Sequence, residues 1–406
     1  MSKYFITAII LMMVFISTPL PCKAEDIPDA NNRFTFEIYQ KLTHGKEDKN
    51  LFFSPFSIIS AMVMTYEGAR GQTKEEMEKV FHFPVDDKAR REGFLKLINE
   101  INKKDKKYEL HTANALWAEK SYKFLEDYLK TVERYYHGKA TNVGFIDPSE
   151  REQAVSMINS WVLGHTNGKI KDIIKPQAVS QDTRLILTNA IYFKGKWKLQ
   201  FDKKLTKDDD FKVTADKKIK VPMMRMAMKG FNDYPEFNYA ETDELQALEL
   251  PYEGEELSML ILLPKGNLEN LEKTLSYEKI EGIKRSLSLR LVELYLPRFK
   301  FETEYSLNSV FAEMGMPTAF SNFADFSGMD GTKKLKIDKV IHKAFVEVNE
   351  EGTEAAAATA VVMVTKSALN EPKKPVVFRA DHPFIFIIQH NKTGAILFIG
   401  RVYEPK

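Results

Sequence analysis

Cysteine is almost missing from this chain: Cys22 is the only one among 406 residues. No disulfide can form within the chain, so its stability must come from packing. Charge of one sign is missing too, since 59 basic residues meet 57 acidic ones and the formal net charge is +2. That balance implies no global pull toward a membrane, and nucleic-acid binding would normally show a concentrated basic face. Enzymatic motifs are absent as well: there is no zinc-protease helix signature, no phosphate-binding glycine loop followed by Lys-Ser/Thr, and no Gly-x-Ser-x-Gly elbow. The eight histidines are scattered without metal-ligand spacing. An enzyme reading therefore has little to stand on, and neither a metal nor a cofactor is expected.

Among what is present, the N-terminus stands apart. Lys3 precedes an apolar run from Tyr4 to Ile16. That run is shorter than the roughly 20 residues a bilayer-spanning helix needs but suits the core of a signal peptide. Cys22-Lys23-Ala24 supplies a cleavage signal, so residues 1–24 are expected to be removed and the exported chain to be left without cysteine. A buried N-terminal helix and a lipid-anchored Cys22 are the alternatives, although Pro19-Leu20-Pro21 suits an anchor poorly. The remainder, 25–406, reads as one domain. It is 44% apolar and 29% charged over the whole chain, close to ordinary globular composition. No solenoid repeat and no Pro/Gly/Ser-rich linker divides it.

Periodicity sketches the elements. Phe34, Ile38 and Leu42 recur at helical spacing within Asn31 to Leu42; Ser57 to Arg70 is apolar on several sides and reads as a buried helix; Gln153 to His165 carries Ala154, Ile158, Trp161 and Val162 on one face. Strands dominate afterwards. Thr183 to Leu187 runs into Asn189 to Phe193, nearly continuously apolar, as strands buried on both faces are. Leu257 to Leu263, Leu291 to Leu296, Pro375 to Phe378, Phe384 to Gln389 and Ala395 to Gly400 follow, with Asn391 to Gly394 as the turn between the last two. Interleaving without strict alternation indicates an α+β domain.

The informative stretch is Lys339 to Phe384. Val340, His342, Ala344, Val346 and Val348 fall on one strand face, opposite Lys343, Glu347 and Asn349. Glu350-Glu351-Gly352-Thr353-Glu354-Ala355-Ala356-Ala357-Ala358-Thr359-Ala360 follows with no turn signal, then Val361 to Thr365 restores β-propensity. No proline occurs from Gly352 through Asn370. Composition alone leaves two readings: a further strand of small side chains, or a short alanine-rich helix.

A resemblance separates them. Glu350 to Ala360 resembles the proximal hinge of the reactive loop of the serpins, a family of serine-protease inhibitors. Asn50 to Ile58 resembles the segment entering the serpins' buried central helix. Thr188-Asn189-Ala190-Ile191-Tyr192-Phe193-Lys194-Gly195-Lys196-Trp197 resembles the family's most characteristic strand. Ile158 to Val162 with Thr166 to Ile170, Leu296-Pro297-Arg298-Phe299, Phe326-Ser327-Gly328-Met329 and Asp381-His382-Pro383-Phe384 match in the same order. The similarity covers nearly everything after the N-terminal segment.

The resemblance implies an α+β serpin fold: three β-sheets, eight or nine helices, and an exposed reactive-centre loop at about 350–380. It also implies a suicide mechanism. A serine protease acylates itself on the loop, and the cut loop then inserts into the main sheet as a new strand. Thr353, Ala355, Ala357, Thr359, Val361 and Met363 would share the inward face, and none is charged; Glu354 falls opposite. Burying Val361 and Met363 contributes about 1.5–3 kcal/mol each, so the intact fold is expected to be metastable. Counting about fourteen residues past the hinge glycine places the reactive bond at Lys366–Ser367, with Thr365 and Met363 as alternatives because the following loop is long. Lysine before the cut suits a trypsin-like protease, whose pocket carries a carboxylate. Ser54, Ser57, Asn189 and His342 match the polar cluster beneath the point of sheet opening, and Trp197 the aromatic above it. On residue chemistry alone His342 is simply a core histidine. The expected partner is a protease bound covalently to a monomeric, secreted (or periplasmic) inhibitor, with no nucleic acid or membrane. The alternative is a non-inhibitory serpin acting as chaperone or carrier. Lys103, Lys104, Lys106 and Lys107 read as a solvated helix end, or else as a polyanion site.

Overall fold

Asp26 opens the first helix by accepting a hydrogen bond from the Ile27 amide, and Pro28 sits in the first turn, where a missing N–H costs nothing. A computed structural model describes residues 26–46, 48–226, 234–353 and 374–405. The expected signal peptide with Cys22, the hinge from Glu354 to Thr359 and the Lys366–Ser367 bond lie outside those residues.

The described helices are α1 Ile27–Thr43, α2 Pro55–Gly68, α3 Gly71–Phe81, α4 Asp87–Ile101, α5 Glu126–Tyr136, α6 Pro148–His165, α7 Leu268–Lys273, α8 Tyr277–Ser286, α9 Asn308–Met314 and α10 Ser327–Asp330. The strands are β1 Leu51–Phe53, β2 Tyr108–Glu119, β3 Lys139–Val143, β4 Leu185–Lys196, β5 Lys207–Lys212, β6 Lys218–Arg225, β7 Glu236–Glu241 and β8 Leu245–Pro251. They continue with β9 Leu257–Pro264, β10 Ser288–Pro297, β11 Phe299–Ser306, β12 Lys339–Val348, β13 Gly352–Thr353, β14 Val376–Arg379, β15 Phe384–His390 and β16 Ile396–Val402. The three helices anticipated from periodicity form with their N-terminal ends extended, because Asp26, Ser54 and Asp147 cap them a few residues earlier, while α2 stops at Gly68, two residues short of Arg70. Among the described residues there are ten helices, against the eight or nine expected, with α7, α9 and α10 the short ones.

The six-stranded sheet has the order β11-β12-β13-β4-β2-β3. The other strands form one continuous set rather than two separate sheets. Its long strand β10 pairs with β7 through Ser288 to Leu291 and with β6 through Tyr295 to Pro297, while β14 runs parallel to its middle. At about 3.3 Å per residue β10 outreaches each of these neighbours. It therefore belongs to both smaller layers at once, which is why three expected sheets appear as two.

The central strand β4 is buried on both faces of the six-stranded sheet. Leu185, Leu187, Ile191 and Phe193 of β4 join the main core with α2, all of whose residues are buried. Ile186 and Ala190 point the other way, into a second cluster with Ala113, Trp117 and Ile341 beneath Ile158 and Val162 of α6. A helix apolar all round belongs in such an interior. Trp117 donates its indole N–H to Thr188 at 2.9 Å, so its polar edge is satisfied there.

One ionic contact ties α7 to the last strand. Arg401 is fully buried and donates to Glu272 at 2.9 Å, and the Tyr39 hydroxyl donates to the same carboxylate at 2.6 Å. Burial, reinforced by Glu272, pushes the Tyr39 phenol well above its usual range. Glu272→Ala would leave a buried guanidinium without its counter-ion. The expected loss is about 3–5 kcal/mol, read from denaturant unfolding; a loss below about 1 kcal/mol would show that water or the carbonyls of Lys46 and Lys49 suffice.

Candidate functional site

β4 and β12 run parallel and pair from Ile186↔Lys339 to Ile191↔Ala344. Parallel neighbours normally continue side by side, but here the pairing ends at Ala344. Farther along, β13 lies between them: Thr353 pairs with Val348 on β12 and with Gly195 on β4, and Gly352 pairs with Lys196, antiparallel to both neighbours. The first two residues of the small-residue segment thus already occupy a strand position in the main sheet.

Three contacts hold this start in place. Asn349 turns the chain, its side-chain oxygen accepting from the amides of Glu351 and Gly352 at 3.0 and 3.3 Å. Gly352 has φ +156°, and a Cβ there would lie 2.0 Å from the Gly195 carbonyl oxygen, so only glycine fits. Thr353 is buried, and its hydroxyl lies 2.8 Å from that of Tyr252.

Trp197 stacks on Tyr252 at 4.6 Å between ring centroids. Its indole N–H donates to the Asn349 carbonyl at 3.0 Å and its amide to the Glu351 carbonyl at 2.9 Å. The two acidic residues before Gly352 are anchors rather than solvent-facing charges. Glu350 is 2% exposed and accepts from Arg298 Nε at 2.8 Å and Thr206 at 2.5 Å; Glu351 pairs with Lys203. Burial pushes the Glu350 carboxyl upward, but the Arg298 and Thr206 bonds outweigh it and hold it below the usual carboxylate range.

Lower in the sheet, Asn114, Asn189 and His342 stand side by side on β2, β4 and β12 as direct register partners. His342 Nε2 accepts from the Ser54 amide at 3.1 Å, which leaves Nδ1–H to donate to Asn189 Oδ1. The Asn189 amide donates to the Ser57 carbonyl at 2.7 Å and hydroxyl at 2.6 Å, and Ser57 in turn donates to Asn114 at 3.1 Å. Ser54 also caps α2, accepting from the Ser57 amide. The four residues singled out from the sequence therefore form one network, and the His342–Asn189 bond is its link across the β4–β12 seam. Separating those strands breaks that bond.

Sequence reasoning missed Asn114, Tyr252, Thr206 and the Arg298–Glu350 pair. Asn114 is the register partner of Asn189 within a strand that mixes polar and apolar residues, so alternation did not mark it out. The other three gain meaning only through contacts more than 50 residues distant in the chain. Among the described residues no group of His, Cys, Asp or Glu could hold a metal ion, and no helix is long and apolar enough to cross a membrane.

The two central parallel strands of this sheet part to admit the start of a third between them. The chain belongs to the serpin family: residues 29–405 match the family model described as serpin (serine protease inhibitor). It is 45% identical to an uncharacterized serpin-like protein of Thermococcus kodakarensis, covering 94% of this chain and 86% of that protein. It is 41% identical to human leukocyte elastase inhibitor over 94% of this chain and all of that protein. The solved structure of uncleaved ovalbumin superposes with a TM-score of 0.83 at 32% identity, covering 94% of this chain and all of that one.

His342 also makes a pH prediction. Burial pushes its imidazole down to about 3, from the usual value near 6.5. The folded state thus resists a proton that the unfolded chain accepts, so the stability His342 contributes is complete above pH 6.5 and is lost as pH falls toward 3. Between pH 7.5 and 5, wild type should lose about 2 kcal/mol more than His342→Gln. Denaturant midpoints at the two pH values test this; equal losses in the two proteins would mean His342 takes up a proton in the native state.

Proposed function

We propose that this chain is an exported suicide-substrate inhibitor of trypsin-like serine proteases. The observation that carries the reading is the pairing of Thr353 between Gly195 and Val348, because it supplies both the entry point and the direction of a new strand. The signal-peptide pattern at 1–24 supports export, and the family match supports inhibition.

The steps follow from the chain's own residues. The protease serine attacks the Lys366 carbonyl; the peptide bond to Ser367 breaks, its amine leaves with a proton, and an ester joins the protease to Lys366. The chain from Glu354 onward is then free at one end. Each residue that follows Thr353 between β4 and β12 adds ladder hydrogen bonds of about 0.5–1.5 kcal/mol. The alternating Ala355, Ala357, Thr359, Val361 and Met363 place uncharged side chains toward the core. Insertion must break the His342–Asn189 link, so that buried bond sets part of the barrier. Some thirteen rises at about 3.3 Å carry the ester-bound protease roughly 40–45 Å along the sheet.

Thr353→Arg would bring a guanidinium against the Tyr252 hydroxyl, where burying an unpaired charge costs several kcal/mol. Mixed with trypsin, wild type should give a covalent band that survives SDS, and the variant should instead be consumed as substrate. A variant as inhibitory as wild type would remove the entry point assigned to Thr353, and a wild type that forms no band would favour a non-inhibitory carrier or chaperone.

Specificity rests on Lys366. Replacing it with alanine leaves the carboxylate of a trypsin-like pocket unpaired, at a cost of about 2–5 kcal/mol. Association with trypsin should fall at least tenfold, while Lys366→Phe should turn preference toward chymotrypsin-like enzymes. Mass spectrometry of the released peptide should show Ser367 at its N-terminus; any other start relocates the bond, with Thr365 and Met363 as the nearest candidates.

A further inference from the structure

Thr353 faces Gly195 on β4 and Val348 on β12, and these two partners are 153 positions apart in the chain. Lower in the sheet β4 and β12 face each other directly with the same offset, from Ile186↔Lys339 to Ile191↔Ala344. The start of β13 and the closed part of the sheet are therefore in one register, and a strand continuing from Thr353 meets its partners without a slip. Counting one residue per partner, Val362 falls between Ile186 and Lys339, the pair that ends the ladder. Lys366 falls level with Asp182 and Leu335, just outside the first residues of both strands. On the insertion reading, the esterified protease is delivered to a definite place: the end of the sheet where β4 and β12 begin.

What stands at that end is fixed by short contacts. The Ile337 amide, two residues past Leu335, donates to the Ala319 carbonyl at 3.0 Å, and the Lys336 ammonium donates to the Asn322 side chain at 3.0 Å. These bonds dock a tight turn, Ser321 to Ala324, beside Leu335. Within the turn the Phe323 amide donates to the Ser321 hydroxyl at 3.1 Å, and the Ala324 amide to the Ser321 carbonyl at 3.2 Å. Ala319 and Ala324 are buried on either side of it. The side chain displayed on this braced turn is Phe323. It is 89% exposed, more than any other large hydrophobic residue among those described, and it is the only aromatic in that exposed group.

A single exposed apolar side chain is ordinary on a protein surface; its place is what gives this one a meaning. Phe323 is linked through Asn322 and Lys336 to the neighbour of Leu335, so its backbone lies within roughly 20 Å of the point that Lys366 reaches. A protease of about 220 residues has a radius of gyration of about 17 Å. One held by an ester at Lys366 therefore spreads over the turn. Aromatic rings are enriched at protein interfaces, and a ring on a braced turn has little freedom left to lose on being covered.

We propose that Phe323 is the centre of a second protease-binding surface, one that the target meets only after translocation, and that packing there prolongs the life of the trapped ester. The occupant is the acylated protease itself. Release requires water to add to the Lys366 carbonyl and the bond to the serine oxygen to break, leaving a carboxyl group on Lys366 and a hydroxyl on the serine. The protease performs this step with its own active site. A contact made only in the trapped arrangement lowers the population of the arrangement that hydrolyses. The inference rests on the insertion reading above and on Lys366 as the cut site, since both enter the register count.

The test isolates the covalent complex with trypsin and follows trypsin activity as it returns. Phe323→Ser should associate with trypsin as fast as wild type, give the same SDS-resistant band and unfold at the same denaturant midpoint. It should nevertheless release active trypsin about tenfold faster, the low end of what losing one buried aromatic contact implies. Phe323→Tyr should keep the wild-type lifetime. Leu289→Ser, which removes an exposed apolar side chain on β10, should release trypsin as slowly as wild type. With p-benzoylphenylalanine in place of Phe323, the protein should photocrosslink to active trypsin. It should not crosslink to trypsin whose catalytic serine has been converted to dehydroalanine, which binds the loop but forms no ester. Equal release by Phe323→Ser and wild type, or crosslinking to both trypsins alike, would overturn the second surface and leave insertion standing. If wild type forms no covalent band, the insertion reading fails and this surface falls with it.

Discussion

The ladder between β4 and β12 stops at Ala344, and most of what this molecule can do depends on that stop. Below it, six parallel register pairs and the buried His342–Asn189 bond close the sheet. Above it, the two strands offer backbone groups to a third strand, of which Gly352 and Thr353 are the first residues. Buried backbone groups are almost always paired, so on the proposed insertion reading completing the strand would give a lower-energy form. On that reading the intact molecule is held short of that form by connectivity, since the segment after Thr353 is joined to β14 at Val376.

The anchors around the hinge act in the same sense. Arg298 and Thr206 on Glu350, Lys203 on Glu351, and Asn349 beneath the turn fix the start of the small-residue segment. Their charges are partly buried, where paired contacts are worth more than exposed ones. The aromatic pair Trp197 and Tyr252 closes the top, the first by hydrogen bonds to backbone carbonyls and the second by a bond to the Thr353 side chain. The seam is therefore pinned at its two ends by different chemistry: neutral polar bonds at the His342 end, ions and aromatics at the hinge end.

Much of this was legible in the chain. The burial of α2, the two-faced burial of β4 and the alternation of β12 follow from side-chain periodicity, which each segment carries by itself. Capping at Asp26, Ser54 and Asp147 is equally local. The hinge reading rests on composition and on the order of the serpin-like motifs, and of its residues only Glu350 to Thr353 fall within the described structure. The strand β2 was not anticipated, because Tyr108 to Glu119 mixes polar and apolar positions and becomes a central strand only when β4 and β3 flank it. Asn114 went unremarked for the same reason.

What the sequence determined by itself, then, is the kind of element each segment becomes and the family to which the whole belongs. Tertiary structure decided which edges meet. His342 and Asn189 are 153 residues apart, Thr353 and Tyr252 101 apart, and Arg298 and Glu350 52 apart. No local pattern encodes such pairings, because side-chain periodicity records only which face of a segment is buried, and not against what. The sharing of β10 between two layers and the entry of Thr353 between β12 and β4 both arise from that second kind of information. They exist only once the strands have taken their neighbours, since hydrogen-bond partners across a sheet are chosen by the register of the assembled ladder.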